Sequence, residues 1–127
     1  MATYISGSDA KSVFLTADTV ALDDNGLSVA ATLGGAANLT LGGALTSGGS
    51  ATFNLGGIVT LLSAGDDSGD TFTVTGTDVN GDAQTEEITG ANTGTATGVK
   101  YFKTISQIAI DGASAGDVSA GINNSVA

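Results

Sequence analysis

The chain has 127 residues, a length that allows one domain or two small ones. It carries 20 Gly and no Pro, Cys, Trp or His, and its thirteen acidic residues against three lysines (Lys11, Lys100, Lys103) give a net charge of -10. Without His there is no imidazole base or histidine metal ligand, and without Cys no thiolate nucleophile, zinc-thiolate site or disulfide. Arg is absent too, which removes the bidentate clamp for phosphate and carboxylate groups. Three lysines facing thirteen carboxylates repel nucleic acid and anionic membrane surfaces, so neither is expected as a partner. No run approaches the ~18 apolar residues of a membrane-spanning helix. Residues Met1–Ser6 lack a basic start followed by an apolar run, so no secretory signal is expected.

Disorder is weighed first because Gly and Ser are abundant. The chain is nevertheless 41% apolar with positive mean hydropathy, which disordered chains rarely are. Its apolar residues are mostly small or β-branched and stand beside 18 Thr, a mixture suited to pleated strands. Each helix-interior glycine would cost ~1 kcal/mol, so long helices are not expected.

In chain order, residues 1–23 read as an N-terminal arm. It holds two strand candidates, Lys11–Thr16 and Thr19–Leu22. Asp23-Asp24-Asn25-Gly26 reads as a turn, since Asn-Gly tolerates positive φ. Residues 24–122 read as a single β domain, and 123–127 as a polar tail. Within the domain, 27–63 is the most biased part. Leu-Gly-Gly recurs at Leu33, Leu41 and Leu55, but the unequal intervals of 8 and 14 residues do not make a solenoid repeat. Short strands joined by glycine turns are expected at Leu27–Leu33, Ala37–Leu41, Ala51–Leu55 and Gly57–Leu62. The glycine pairs also permit close approach of two backbones. Ala64–Asp70 reads as a polar loop between halves.

The second half, 71–122, gives the clearest strand signal. Thr71–Thr77 places Phe72 and Val74 on one face and four Thr on the other. Asn80-Gly81 then turns the chain into Ala83–Gly90. A plain two-residue turn would put Ile88 opposite Thr73, on the wrong face. Burial of Ile88 demands an even register, hence a three-residue loop or a glycine bulge at Gly81. Further strands are expected at Thr95–Lys103, Thr104–Ile110 and Asp117–Ile122, with a turn at Asp111–Gly116. The fold class is all-β: a sandwich or barrel of short antiparallel strands with Gly, Asn and Asp turns and little or no helix. The expected core is Phe14, Val29, Leu39, Leu41, Phe53, Leu55, Val59, Leu61, Phe72, Val74, Ile88, Tyr101, Ile105, Ile108 and Ile110.

No chemical site emerges. Asp66, Ser68 and Asp70 alternate like the first ligands of a calcium loop, as do Asp78, Asn80 and Asp82. Neither loop has the sixth-position Gly or the twelfth-position Glu, and turns favour these residues for conformational reasons alone. Glu86 and Glu87 face opposite sides of a strand and cannot act as a pair, so they read as solvated surface charge. Lys100-Tyr101-Phe102-Lys103 is the only basic and aromatic cluster. It reads as Tyr101 in the core with the lysines outside, meeting carboxylates of a neighbouring subunit, rather than as a nucleic-acid contact. No catalytic, cofactor-binding or metal-ligating residues are therefore assigned, and no cofactor is expected.

Three stretches carry a resemblance: Thr73–Gly90 (TVTGTDVNGDAQTEEITG), Gly98–Ile105 (GVKYFKTI) and Ile110–Val118 (IDGASAGDV). Together they resemble small structural proteins of tailed-bacteriophage particles, and within that group capsid decoration, or cement, proteins. The resemblance covers residues 71–120 and leaves the Gly-rich 27–63 segment outside. It implies a non-enzymatic β-rich module on the outer capsid shell, with the major capsid protein as partner and a homo-oligomer, most often a trimer, as its state. It implies no catalytic residues. A tail or fibre component is the alternative structural reading. A carbohydrate- or calcium-binding adhesion module is the alternative from another class, and a carboxylate hydrolase the remotest. In the assembly reading the arm, residues 1–23, adds a strand to a neighbour's sheet, and the alternative is that it pairs within its own sandwich.

Overall fold

The computed structural model describes residues 23–123, leaving aside the side chains of residues 23, 24, 54 and 55. Within that span the protein is all-β. Nine strands pair antiparallel throughout: β1 (Asp23–Thr32), β2 (Ala37–Asn38), β3 (Thr46–Ser47), β4 (Ser50–Asp66), β5 (Thr71–Thr77), β6 (Ala83–Thr89), β7 (Asn92–Thr97), β8 (Phe102–Ile110) and β9 (Asp117–Asn123). They join in the order β1-β9-β4-β8-β5-β6, with β2 on β8 and β3 and β7 on β4, forming a nearly closed, barrel-like sheet.

The 17-residue β4 organises this closure. Its first part pairs with β8, Ala51 opposite Ile105 and Thr52 opposite Thr104, before the ladder slips to Gly57 opposite Phe102. Its second part pairs with β9 on one edge and with β7 on the other. The bend falls at the third Leu-Gly-Gly. Gly56 has φ +87°, and a Cβ on Gly57 would stand 3.1 Å from the Ile122 side chain. One continuous strand therefore replaces the two expected at 51–55 and 57–62, because a glycine bend turns the chain without ending the pairing.

Alternation carries the core. In β5, Phe72, Val74 and Gly76 face inward between half-buried threonines. Phe72 lies opposite Ile88 in β6, the even register that burial of Ile88 requires. The turn supplies it as expected: Asp78 N donates to Asp82 O, Gly81 N donates to Asp78 O, and Gly81 has φ +87°. Residues 79–81 thus make a three-residue loop with a glycine in the left-handed region.

β8 runs unbroken over 102–110, not as two strands divided at 103/104, and the segment 98–101 before it is not strand. Its ladder to β5 shifts between Thr75–Gln107 and Gly76–Ile105, which leaves Ser106 as an extra residue. That bulge lets Ile105 and Ile108, three residues apart, both face inward.

The buried cluster contains Leu39, Leu41, Phe53, Val59, Leu61, Phe72, Val74, Ile88, Ile105, Ile108 and Ile110 from the expected list, joined by Leu27, Phe102, Val118 and Ile122. Two expected members are corrected. Val29 is 55% exposed because it lies in a bulge, where β1 sets two residues, 29 and 30, against the single Ser119 of β9. Tyr101 is 41% exposed because it precedes the first residue of β8, and Phe102 takes the inward position. Phe14 and the arm residues 1–22 lie outside the described residues, as do the Leu55 side chain and residues 124–127.

The Asp23–Gly26 reversal is also corrected, since these residues open β1. The ladder jumps from Ser28–Ala120 to Asp23–Ile122, so the intervening residues arc away from β9. They lean toward 43–45, where Gly43 N donates to Leu27 O and Leu45 N to Gly26 O. Of the segment expected at Ala37–Leu41, only Ala37–Asn38 is strand. Among the described residues no helix is long and apolar enough to cross a membrane.

Candidate functional site

The two aspartate-rich loops sit at opposite ends of β5. In the first, Asp66, Asp67 and Asp70 are put to three separate uses. Asp66 Oδ1 accepts from Ser68 Oγ (2.6 Å) and Ser68 N (3.1 Å). The hydroxyl bond first, then the amide bond, holds the Asp66 carboxyl below its ordinary value, slightly opposed by desolvation. Asp67 turns inward and is fully buried. Its Oδ1 accepts from Ala115 N at 2.7 Å, while its Oδ2 has no hydrogen-bond partner. Its backbone ties two further loop positions, with Asp67 N donating to Ala91 O and Asp70 N to Asp67 O. Asp70 lies over Gly112, where a Cβ would come 2.7 Å from its Oδ1. Asp111 Oδ1 accepts from Thr71 N (2.9 Å).

In the second loop, Asp78 Oδ1 accepts from Asn80 N (2.8 Å) and Asp82 N (3.0 Å). These bonds build the turn, as Asp and Asn commonly do. Among the described residues no three acidic side chains gather as a metal-ion set.

Glu86 and Glu87 do point to opposite sides, but Glu86 is not solvated. It shares the inward face with Ile88 and is 7% exposed. Its Oε2 accepts from Val99 N (2.6 Å) and its Oε1 from Lys100 N (3.2 Å). Two neighbours extend this seam: Gln84 Nε2 donates to Tyr101 O, and Lys100 Nζ to Thr85 O, each at 2.8 Å. Side chains of β6 and the strap 98–101 thus join where no backbone ladder runs between them. Gly98 makes room, since a Cβ there would stand 2.7 Å from Glu86 Oε1.

The Lys100–Lys103 cluster divides differently from expectation. Phe102 is core, Tyr101 is exposed, and Lys103 is half-buried on β8. Val79 and Tyr101 meet over Gly56, where a Cβ would stand 3.3 Å from Val79 Cγ1 and 3.4 Å from Tyr101 Cβ. Val99, at 78% exposure, stands out from the same strap. The end of the barrel formed by 78–82 and 98–101 therefore exposes an apolar patch, Val79, Val99 and Tyr101, and carries both described lysines with Asp78 and Asp82. The opposite end carries Asp66, Asp70, Asp111 and Asp117 and, among the described residues, no lysine.

One sequence signal could have found Glu86. Placing Ile88 inward commits residue 86 to the same face, because strand side chains alternate with period two. Asp67 had no such signal, since its burial depends on the 111–116 loop meeting the 66–70 loop. No protein family, no curated protein and no solved structure matches this chain.

Proposed function

We propose that this protein is a non-enzymatic structural component of a tailed-bacteriophage particle, a capsid decoration or cement protein that binds the outer shell and stabilises it. The observation that carries the reading is how the buried carboxylates are used. Glu86 and Asp67 accept from backbone amides and thereby hold the barrel's seam and loops. A chain without His, Cys or Arg has few other groups for chemistry. The resemblance in residues 71–120 gives the kind of particle, and that stretch supplies β5 to β8 and the start of β9.

The partner in this reading is the major capsid protein. The protein is made in the host cytoplasm, takes its place on the capsid surface, and works as a homo-oligomer, with the trimer implied by the resemblance. A charge of -10 disfavours nucleic acid and anionic membranes as partners. Electron microscopy of purified particles tests the reading. The expected result is density for this module on the capsid lattice. Density on the tail or fibres instead would replace the cement role with a tail role, and absence from the particle would end the virion reading.

A further inference from the structure

We propose that the end of the barrel formed by the β5–β6 tip and the strap 98–101 is the contact between copies of this chain. The proposal rests on the homo-oligomer part of the function above and names its surface. Val79 (52% exposed), Val99 (78%) and Tyr101 (41%) form the apolar centre. The strap is already pinned by Glu86, through the Val99 and Lys100 amides, and by Gln84, through the Tyr101 carbonyl. Its outward side chains are thus presented without much further ordering, which lowers the entropic cost of association.

Charge selects a second copy as the occupant. Chains of net charge -10 repel one another over most of their surface. Among the described residues both lysines, Lys100 and Lys103, stand at this end, with Asp78 and Asp82 exposed or half-buried beside them and Glu86 buried beneath. Thr104, next to Lys103, pairs with Thr77, next to Asp78, so the lysine lies beside the acidic turn. A surface repeated around a symmetry axis must complement itself, and one carrying both signs around an apolar centre does so. Lysines of one copy face Asp82 of the next, and the Val79, Val99 and Tyr101 side chains meet at the axis.

Sedimentation velocity from about 1 µM to about 1 mM tests this, a range covering weak and tight association. The wild-type chain is expected to sediment as an oligomer. Val99→Asp and Lys103→Glu are each expected to fall to the 12.2 kDa monomer, with circular dichroism unchanged. Asp82→Lys should do the same. The double variant Lys103→Glu/Asp82→Lys should regain the oligomeric mass, since the swap restores one charge of each sign at every contact. A wild-type chain that is monomeric throughout, a Val99→Asp variant that keeps the wild-type mass, or a charge-swapped double variant that stays monomeric overturns the proposal. Microscopy keeps the two readings apart. A Val99→Asp variant that stays oligomeric yet decorates the shell sinks this contact alone, whereas an oligomer missing from particles sinks the virion reading alone.

Discussion

The Glu86 carboxylate accepts the Val99 backbone amide at 2.6 Å, thirteen residues along the chain and across a gap that no backbone ladder spans. A sheet that ends on an open edge leaves backbone groups unpaired and invites association with other chains. Here a side chain from the inward face of β6 reaches the strap 98–101 and takes up two of its amides. The charge on the acceptor makes such bonds short and strong, and burial increases their weight.

Removing that acceptor should be costly. Glu86→Ala strands the Val99 and Lys100 amides and is expected to cost about 1–3 kcal/mol, the range for losing hydrogen bonds to a charged acceptor where water can partly replace it. Glu86→Gln keeps one acceptor oxygen and should lose less. Gly98→Ala attacks the same contact from the other side by crowding the carboxylate. Its effect and that of Glu86→Ala should therefore fall short of additive in the double variant. Urea unfolding curves measure all of these.

Phe102 and Tyr101 provide a second contrast. Phe102 is fully buried and Tyr101 is 41% exposed, although the two are adjacent and both aromatic. Phe102→Ala should cost ~3–5 kcal/mol, as large-to-small changes in a close-packed core do. Tyr101→Ala should cost ~1 kcal/mol or less, the range of surface changes. Equal losses at the two positions would contradict the facing of β8.

How far the sequence disclosed this arrangement depends on the range of the interaction involved. The Phe72–Ile88 register and the Gly81 loop follow from local parity and turn chemistry, and both were legible. Val29 and Tyr101 were misplaced because bulges and strand starts shift parity by one residue, and composition does not mark where they fall. Ser106 looks like any other strand serine, yet it is the residue that allows Ile105 and Ile108 to share a face. Glu86 was within reach of the same parity argument that placed Ile88. Its reading as surface charge let residue type outweigh position. Asp67 was beyond reach, since its partner Ala115 lies 48 residues away and the pairing exists only once the loops meet.

Glycines offer a prediction in which space alone decides. A Cβ at Gly76 would run into the Thr104 carbonyl, where the bulge brings β8 close to β5. At Gly34 nothing lies within 4 Å of such an atom. Gly76→Ala should therefore cost more than about 2 kcal/mol, the mark of core overpacking. Gly34→Ala should be neutral or stabilise by up to ~1 kcal/mol, because it restricts the unfolded chain where the native backbone has room. Thermal melts of the two variants would separate these effects.

The Asp66–Ser68 turn makes a prediction about pH. The Ser68 hydroxyl and amide both donate to Asp66 Oδ1 and hold its folded-state pKa below the ordinary aspartate value. A depressed carboxyl pKa means that the folded state favours the ionised form more than the unfolded state does. The stability it brings is therefore present above the unfolded pKa. It disappears as pH falls through the folded pKa, where both states bind the proton. Carboxyl-carbon NMR titration should show Asp66 reaching its midpoint below that of an ordinary aspartate. Ser68→Ala removes the larger cause and leaves only the backbone bond, so the midpoint should rise toward the ordinary value without reaching it. Ser68→Gly should do the same, since it too deletes the hydroxyl while keeping the amide. An Asp66 midpoint that ignores both substitutions would show that the hydroxyl bond is not what holds the carboxyl ionised.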